Sequence, residues 1–487
     1  MAFFDLFRSV DRSGIDNFMV MEPFVLRYST IRFCYLTDFL IMLYCTYNNF
    51  IFYQKGQRER KWELNTFTTR FVPLQSGRME QKMSDISVRF AGLEFKNPVF
   101  ASSGPISDSP DTVEKCCKGG AGAVICKTVT PIPQLRVYPR PHDLSLEKFG
   151  LDRTGLGCGK LFADEAPEIW AKEVLPRCVE VCAKYDVVFI QSILGDGKNI
   201  DSWISLAQMM EENGAPALEL NFSCPHSSAV AQMTGAQLGM DPVAAHDVAA
   251  AVRKHVKIPI FTKMTSRCED VDQVAAACAA AGADGISVFN NPVGLWVDLE
   301  NLSYFGQPAS AWGYGGAFMQ PMALYKTAKV HQNPNVTVPV YGGTGIWNAD
   351  DALRFILLGN HAVQLQIAVM ELGYDLFKQI TDGIEQYMDR KGIADLAEIR
   401  GSILPKLVSN RDLPPDKKGD VVISIDEERC IGCERCKCCM WGVIEIQNGL
   451  AKAVNIDRCH GCGWCMSLCE QNAMRVIEKS GEVRMQF

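Results

Sequence analysis

Ala217-Leu-Glu-Leu-Asn221-Phe-Ser-Cys224-Pro-His226 opens as a short apolar run and ends in an amide, a hydroxyl, a thiol and a proline. Its first seven residues read as a buried strand, and the polar tail with its proline reads as the turn that ends it. The same grammar recurs between residues 95 and 390: an apolar run, then Gly, Pro or polar residues, then an Ala-rich segment with helical spacing. The other runs are Pro98–Ser102, Gly122–Val129, Val187–Leu194, Pro259–Thr265, Gly285–Asn290, Val338–Gly343 and Ala362–Ala368. Helix patterns lie between them at Pro242–Lys257, Asp270–Ala281 and Asn348–Leu358. Asp241 and Asn348 stand where an N-cap side chain would accept from first-turn amides. Eight strands alternating with helices point to an α/β fold, a (β/α)8 TIM barrel. A doubly wound sheet is the alternative, because periodicity does not show closure.

Barrel active sites assemble at the C-terminal ends of the strands, which is where the Asn221 to His226 turn falls. A thiol there donates or accepts a proton, and Asn221 offers directional hydrogen bonds to a planar polar substrate. A lone buried cysteine is more often inert core. The polar turn and the proline after Cys224 favour chemistry instead.

At 487 residues the chain exceeds the size at which single cores stop growing, about 250 to 300 residues, so more than one domain is expected. A formal net charge of -7 supplies no basic footprint for nucleic acid or an anionic membrane. Of the 20 cysteines, nine fall inside Cys430–Cys469, unlike the even stapling of a secreted scaffold, so a cytoplasmic location is expected. No basic n-region and clean apolar core mark a signal peptide. Residues 1–82 include an apolar stretch, Phe33–Tyr47, but Asp38 interrupts it and Arg32, Asn48 and Asn49 flank it. That is too short and too polar for a bilayer span of about 20 apolar residues. This segment is expected to be an extension upstream of a start at Met79 or Met83, with the barrel over 83–390. Residues 391–420, ending in the polar Asp412-Leu-Pro-Pro-Asp-Lys-Lys-Gly-Asp420, read as a linker to a cysteine-rich module over 421–487.

In that module Cys459-x2-Cys462-x2-Cys465-x3-Cys469 has the spacing that ligates [4Fe–4S] clusters in bacterial two-cluster ferredoxins. Zinc usually takes paired Cys-x2-Cys knuckles with a longer spacer. The first group, Cys430-x2-Cys433-x2-Cys436, has Met440 at the fourth position. Cys438 or Cys439 supplies the missing thiolate in a tighter loop, with Cys439 preferred and a three-thiolate site as the alternative. In the ferredoxin arrangement the fourth cysteine serves the other cluster, so Cys469 joins the first group and Cys439 the second.

Met83 to Arg390 resembles the FMN-binding barrel shared by dihydroorotate dehydrogenases and the pyrimidine-reducing half of dihydropyrimidine dehydrogenase. The resemblance rests on Ala101-Ser-Ser-Gly-Pro105, Cys126-Lys-Thr128, Asn221-Phe-Ser-Cys-Pro-His226, Thr262-Lys-Met264, Asn290-Asn291, Gly343-Thr-Gly-Ile346 and Gln364-Leu-Gln-Ile-Ala368. The added two-cluster module matches the dihydropyrimidine dehydrogenase architecture. The resemblance implies that Ala101, Ser102, Lys127, Thr128, Lys263 and Gly316 contact FMN, the lysines beside its ring and ribityl chain. Amides around Gly343, Gly345, Ile346, Gln366 and Ile367 would hold the phosphate. Cys224 would move the proton on the substrate face opposite the flavin, and Asn221, Ser223, Asn290 and Asn291 would contact the substrate. Residues 225 to 241, with Gly235 and Gly239, would form a mobile lid.

The implied activity is reduction of the C5=C6 bond of a uracil- or thymine-type pyrimidine, with electrons passing through two [4Fe–4S] clusters to FMN. Two features depart from the pattern. No Asn-x-Glu element of dihydropyrimidine dehydrogenases appears in the region 149 to 170, and Glu147-Lys-Phe-Gly-Leu-Asp-Arg153 lacks the asparagines of the dihydroorotate dehydrogenase turn. Dihydroorotate oxidation, reduction of another cyclic enone-like compound and a non-catalytic electron-transfer role are the competing expectations. No Gly-x-Gly-x2-Gly follows a strand, so electrons are expected from an NAD(P)H-oxidising FAD and iron–sulfur subunit or from a ferredoxin, in a hetero- or homo-oligomer.

Overall fold

Eight short parallel strands carry the chain's largest core: β1 Val99–Ala101, β2 Ala123–Ile125, β3 Val188–Ile193, β4 Leu218–Asn221, β5 Ile260–Thr265, β6 Gly285–Asn290, β7 Val340–Gly342 and β8 Val363–Leu365. The computed structural model describes residues 31–36, 39–46, 49–55 and 62–67, and residues 84–485 apart from 139, 147–154, 161, 226–231, 306–310, 414–419 and 479. The sheet runs β7-β6-β5-β4-β3-β2-β1-β8, with neighbouring strands paired in parallel. It closes where Gly342 N donates to Ala362 O at 2.9 Å and His361 N donates to Val340 O at 2.8 Å. The barrel expected from the sequence is therefore observed, and an open doubly wound sheet is not.

Helices α1 Pro110–Gly119, α2 Leu175–Lys184, α3 Ile200–Glu212, α4 Pro242–His255, α5 Val271–Ala280, α6 Gln320–Gln332, α7 Ala349–Leu358 and α8 Leu376–Lys391 follow the strands in turn. Both expected N-caps form. Asp241 accepts from Val243 N and Ala244 N at the start of α4, and Asn348 accepts from Asp351 N at the start of α7. The eighth strand is shorter than the Ala362–Ala368 run, because the chain turns into a short helix at Ile367–Leu372.

Alternate residues of each strand face the barrel interior, which is stratified. Near the strand starts a hairpin of Val88–Phe90 and Leu93–Phe95 brings Phe90 and Phe95 against Phe100, with ring centroids 4.6 Å apart for Phe90–Phe95 and 4.7 Å for Phe95–Phe100. Phe261 and Tyr341 complete this aromatic floor, their centroids 5.4 Å apart. One step along, the interior turns polar with Ser102, Lys263, Ser287 and Gln364, all buried.

Two further pieces shape the mouth and the base. A four-stranded antiparallel sheet of Asp143–Ser145, Gly155–Cys158, Trp312–Gly316 and Val293–Gly294 is built from the excursions after β2 and β6. Gly157 is forced by packing, since a Cβ there would meet the Trp312 ring at 2.1 Å. Part of the expected 391–420 linker is bound to the barrel: Leu396 is fully buried, Asp85 N donates to Ala394 O at 2.9 Å, and Gly401 N donates to Ile356 O at 3.0 Å. Its apolar Ile393, Leu396 and Ile399 anchor it, a spacing that its polar end concealed.

Residues 421–485 form a small α+β unit: β9 Val421–Ile425 pairs with β12 Met474–Glu478, β10 Ile444–Gln447 with β11 Leu450–Ala453, and β13 Val483–Met485 adds to β12. The chain before Lys82 clusters as its own unit, a four-stranded antiparallel meander of Ile31–Leu36, Phe39–Thr46, Asn49–Lys55 and Trp62–Phe67. Within the apolar Phe33–Tyr47 stretch, residues 33–36 and 39–46 thus lie in two paired strands, and among the described residues no helix is long and apolar enough to cross a membrane.

Replacing Asp241 by Ala removes two first-turn acceptor contacts from α4, the helix that follows the Cys224 turn. The expected loss is about 1 kcal/mol of unfolding free energy, read from urea denaturation.

Candidate active site and two cysteine-lined cavities

Asn221, the last residue of β4, organises the turn that presents Cys224. Its Oδ1 accepts from Ser223 N at 3.0 Å, Ser223 Oγ at 2.7 Å and Cys224 N at 3.0 Å. Its Nδ2 donates to Thr128 Oγ1 at 2.9 Å, tying the turn to the end of the second strand region. Asn290 Nδ2 donates to Ser223 O at 3.2 Å, and Asn291 Oδ1 accepts from Thr344 Oγ1 at 3.1 Å. Cys224 is held buried, and its carbonyl accepts from Ala236 N at 2.9 Å. His226 and residues up to 231 of the expected lid lie outside the described residues. Within the remainder, Ala236 and Leu238 are fully buried, and a Cβ on Gly239 would meet Phe222 O at 1.9 Å, while Met240 is exposed.

Two contiguous cavities open at this end of the barrel. The first, of about 450 Å³, is lined by Ser102, Lys263, Gly316, Gly343, Gly345, Ile346, Gln366 and Ile367. The second, of about 610 Å³, is lined by Lys127, Thr128, Asn221, Ser223 and Cys224, and Lys263, Asn290 and Asn291 line both. Of the expected barrel-site residues, Ala101 lines neither cavity; it is fully buried one position below Ser102, because alternation turns it into the core.

Lys263 Nζ donates to Ser102 Oγ at 3.0 Å and to Gln364 Oε1 at 3.3 Å, while Gln364 Nε2 donates to Ser287 Oγ at 2.8 Å. Lys127 Nζ donates to Lys160 O at 2.9 Å. Burial, with the Lys160 charge adding to it, holds the Lys127 amine below its ordinary pKa. In the loop after β7, Gly345 sits at φ +77°, and a Cβ there would meet Gln320 N at 2.7 Å. The amides of Thr344, Gly345 and Ile346 have no acceptor among the described residues. An amide-lined loop beside a lysine suits a phosphorylated, anionic ligand.

The sequence missed Cys158 and Lys160. They come from the 149–170 region that lacks the Asn-x-Glu element, and both line the second cavity. Burial pushes the Cys158 thiol up to about 12. Burial opposes the charge on Lys160, but a 2.7 Å bond to Asp108 and the Asp164 charge outweigh it and raise its pKa. The signal was one lysine two positions after a cysteine, too weak to place without the mouth sheet.

A family model described as dihydroorotate dehydrogenase matches residues 85–388. The chain belongs to the dihydroorotate dehydrogenase family. It is 30% identical over 359 residues to the NAD-dependent dihydropyrimidine dehydrogenase subunit PreA of Escherichia coli strain K12, covering 72% of this chain and 84% of that protein. It is 30% identical over 324 residues to the catalytic subunit of dihydroorotate dehydrogenase B (NAD(+)) of Methanocaldococcus jannaschii, covering 65% of this chain and 97% of that one. The corresponding subunit of Pyrococcus furiosus is 29% identical over 319 residues, with 65% and 98% covered. As a member of this family the chain is a flavin oxidoreductase.

Beyond the matched region, the cysteine-rich unit surrounds two mainly apolar cavities. One, of about 360 Å³, is lined by Cys430, Cys433, Cys436 and Cys469. The other, of about 320 Å³, is lined by Cys439, Cys459, Cys462 and Cys465. Cys438 is exposed and lines neither. Among the described residues no three His, Cys, Asp or Glu side chains converge as one metal ion would require. The thiols instead ring volumes larger than a single ion. Backbone amides already point at sulfur: Ala451 N donates to Cys430 Sγ at 3.4 Å and Ala473 N to Cys469 Sγ at 3.3 Å. Gly432, at φ +68°, allows the first loop to turn where a Cβ would meet Gly449 O at 1.9 Å.

Replacing Asn221 by Ala strips the Cys224 turn of three accepted bonds and one donated bond. The expected result is a loss of about 1–3 kcal/mol in urea unfolding, with the Cys224 thiol more quickly alkylated in the folded protein.

Proposed function

We propose that the chain is the FMN-holding, pyrimidine-reducing subunit of an iron–sulfur oxidoreductase, adding hydrogen across the C5=C6 bond of uracil- or thymine-type substrates. The observation that carries this is the joining, in one chain, of a barrel mouth bearing Cys224 among three asparagines to two separate four-cysteine cavities. Similarity to a dihydropyrimidine dehydrogenase subunit over 84% of that protein supports the same substrate class.

The first cavity suits FMN. Gly343, Gly345, Ile346, Gln366 and Ile367 would hold the phosphate, and Ser102, Lys263 and Gly316 the rest, with Lys127 and Thr128 reaching it from the second cavity. When bound, FMN exchanges hydride with carbon and single electrons with iron–sulfur clusters. Asn290 and Asn291 present amides that match the alternating carbonyl and N–H groups of a pyrimidine edge, and Asn221, whose Oδ1 is taken by the Cys224 turn, adds its second Nδ2 hydrogen. Cys224 then gives its Sγ proton to the carbon next to the one that receives hydride, and in the oxidative direction takes it back. The buried turn holds the thiol in place and limits water at the reacting carbons.

Cys430, Cys433, Cys436 and Cys469 would hold one [4Fe–4S] cluster, and Cys439, Cys459, Cys462 and Cys465 the other. The mainly apolar walls and the amide to sulfur bonds suit such clusters. The relatives are named as subunits of NAD-dependent enzymes, which supports an NAD(P)H-oxidising partner as the electron source, with a ferredoxin as the alternative.

One observation favours a second reading, dihydroorotate as substrate. Among the described residues, Lys127, Lys160 and Lys263 line the second cavity and no carboxylate side chain does, which suits a substrate bearing a carboxylate.

Anaerobically purified protein is expected to hold one FMN and about eight irons per chain. Its reduced flavin is expected to be reoxidised by uracil or thymine; turnover of dihydroorotate alone would select the second reading. Cys224→Ala is expected to abolish substrate turnover while leaving flavin reduction by dithionite intact. A turnover rate equal to wild type would remove Cys224 from the chemistry. Cys439→Ser is expected to lower the iron content and change the cluster's electron paramagnetic resonance signal, whereas Cys438→Ser leaves both unaltered.

A further inference from the structure

Glu219 stands second in β4, fully buried, with neither carboxylate oxygen hydrogen-bonded among the described residues. A carboxylate in a barrel core is costly unless a cation compensates it. Among the described residues the cation at ion-pair distance is Lys263, whose Nζ lies 3.8 Å from Glu219 Oε1. The two sit on adjacent strands, where Glu219 pairs with Phe261 and Asn221 with Lys263 in the parallel ladder. Tyr341 does not compete as a second anion: burial first, and the Glu219 charge second, push its hydroxyl well above its ordinary pKa.

Lys263 therefore faces two ways. Its charge is balanced from below by Glu219, while its hydrogens go to Ser102 and Gln364 at the cavity floor. It also lines both cavities at their junction. An amine there, left alone, would present a full positive charge to a ligand in the first cavity. Paired with Glu219 it presents close to a dipole, with no net charge. None of the barrel chemistry described above uses the carboxylate.

We propose that Glu219 is a positioning residue that balances Lys263 and thereby sets the reduction potential of the flavin, an inference that rests on FMN occupying the first cavity. Reduced flavin carries negative charge, so local positive charge favours it and raises the midpoint potential. The local net charge of the pair is zero in the wild type, positive in Glu219→Gln, negative in Lys263→Met and zero again in the double variant.

The experiment is a spectroelectrochemical titration of bound FMN in all four proteins, after FMN per chain has been measured. The expected order is Lys263→Met lowest, wild type and double variant together, and Glu219→Gln highest. This ordering by charge is one that loosened packing does not produce, because the double variant carries two substitutions and yet returns to the wild-type value. Where Lys263→Met does not accumulate, since it leaves Glu219 unpaired, the other three proteins carry the comparison. A Glu219→Gln potential equal to or below wild type overturns the inference, as does a double variant displaced from wild type as far as either single variant. Wild-type protein that takes up no FMN defeats the flavin reading itself, a result distinct from unshifted potentials in flavin-loaded protein.

Discussion

Closure of the parallel sheet between β7 and β8 is the constraint on which the rest of the molecule depends. A closed parallel barrel buries both faces of every strand, so its interior has no exit for polar groups except the strand ends. The aromatic floor of Phe90, Phe95, Phe100, Phe261 and Tyr341 shuts one end. The polar residues that follow along the same strands are pressed together at the other. The cavities and the Cys224 turn stand at that end because the packing leaves the polar side chains nowhere else to converge.

Within that end, buried hydrogen bonds do the positioning. Asn221 spends its carbonyl oxygen on the turn that carries Cys224 and its amide on Thr128, so the thiol's location follows from the register of two strands. The lysines are fixed in the same way, Lys263 by Ser102 and Gln364 and Lys127 by the carbonyl of Lys160. Such charges, held in place before any ligand arrives, act more strongly than mobile ones in water. The mouth sheet adds the variable part: Gly155–Cys158 and Trp312–Gly316 deliver Cys158 and Gly316 to the rim from segments far apart in the chain.

The cysteine-rich unit solves a different problem, that of shaping two apolar shells in about sixty residues, too few for an extensive core. Short strand pairs supply the walls and positive-φ turns such as that at Gly432 bend the loops around the cavities. The loop of the first motif is shortened relative to the usual fourth position, which is occupied by the exposed Met440. The tighter turn still brings Cys439 to the cavity of the second motif and leaves Cys438 facing solvent.

Much was legible in the sequence because it depends on neighbours a few residues apart. Strand and helix alternation, the Asp241 and Asn348 caps, the strand-end position of Cys224 and the cysteine spacings all follow from local periodicity and capping chemistry. That Ser102 faces a cavity and the neighbouring Ala101 does not was beyond the sequence, since alternation sets which side chain faces a cavity and only the observed register sets its phase. The docking of residues 393–403, the arrival of Cys158 and Lys160 at the rim and the pairing of Glu219 with Lys263 were decided by the tertiary structure alone. Each joins groups whose separation is fixed by closure and strand register, and no pattern within a single segment carries that information.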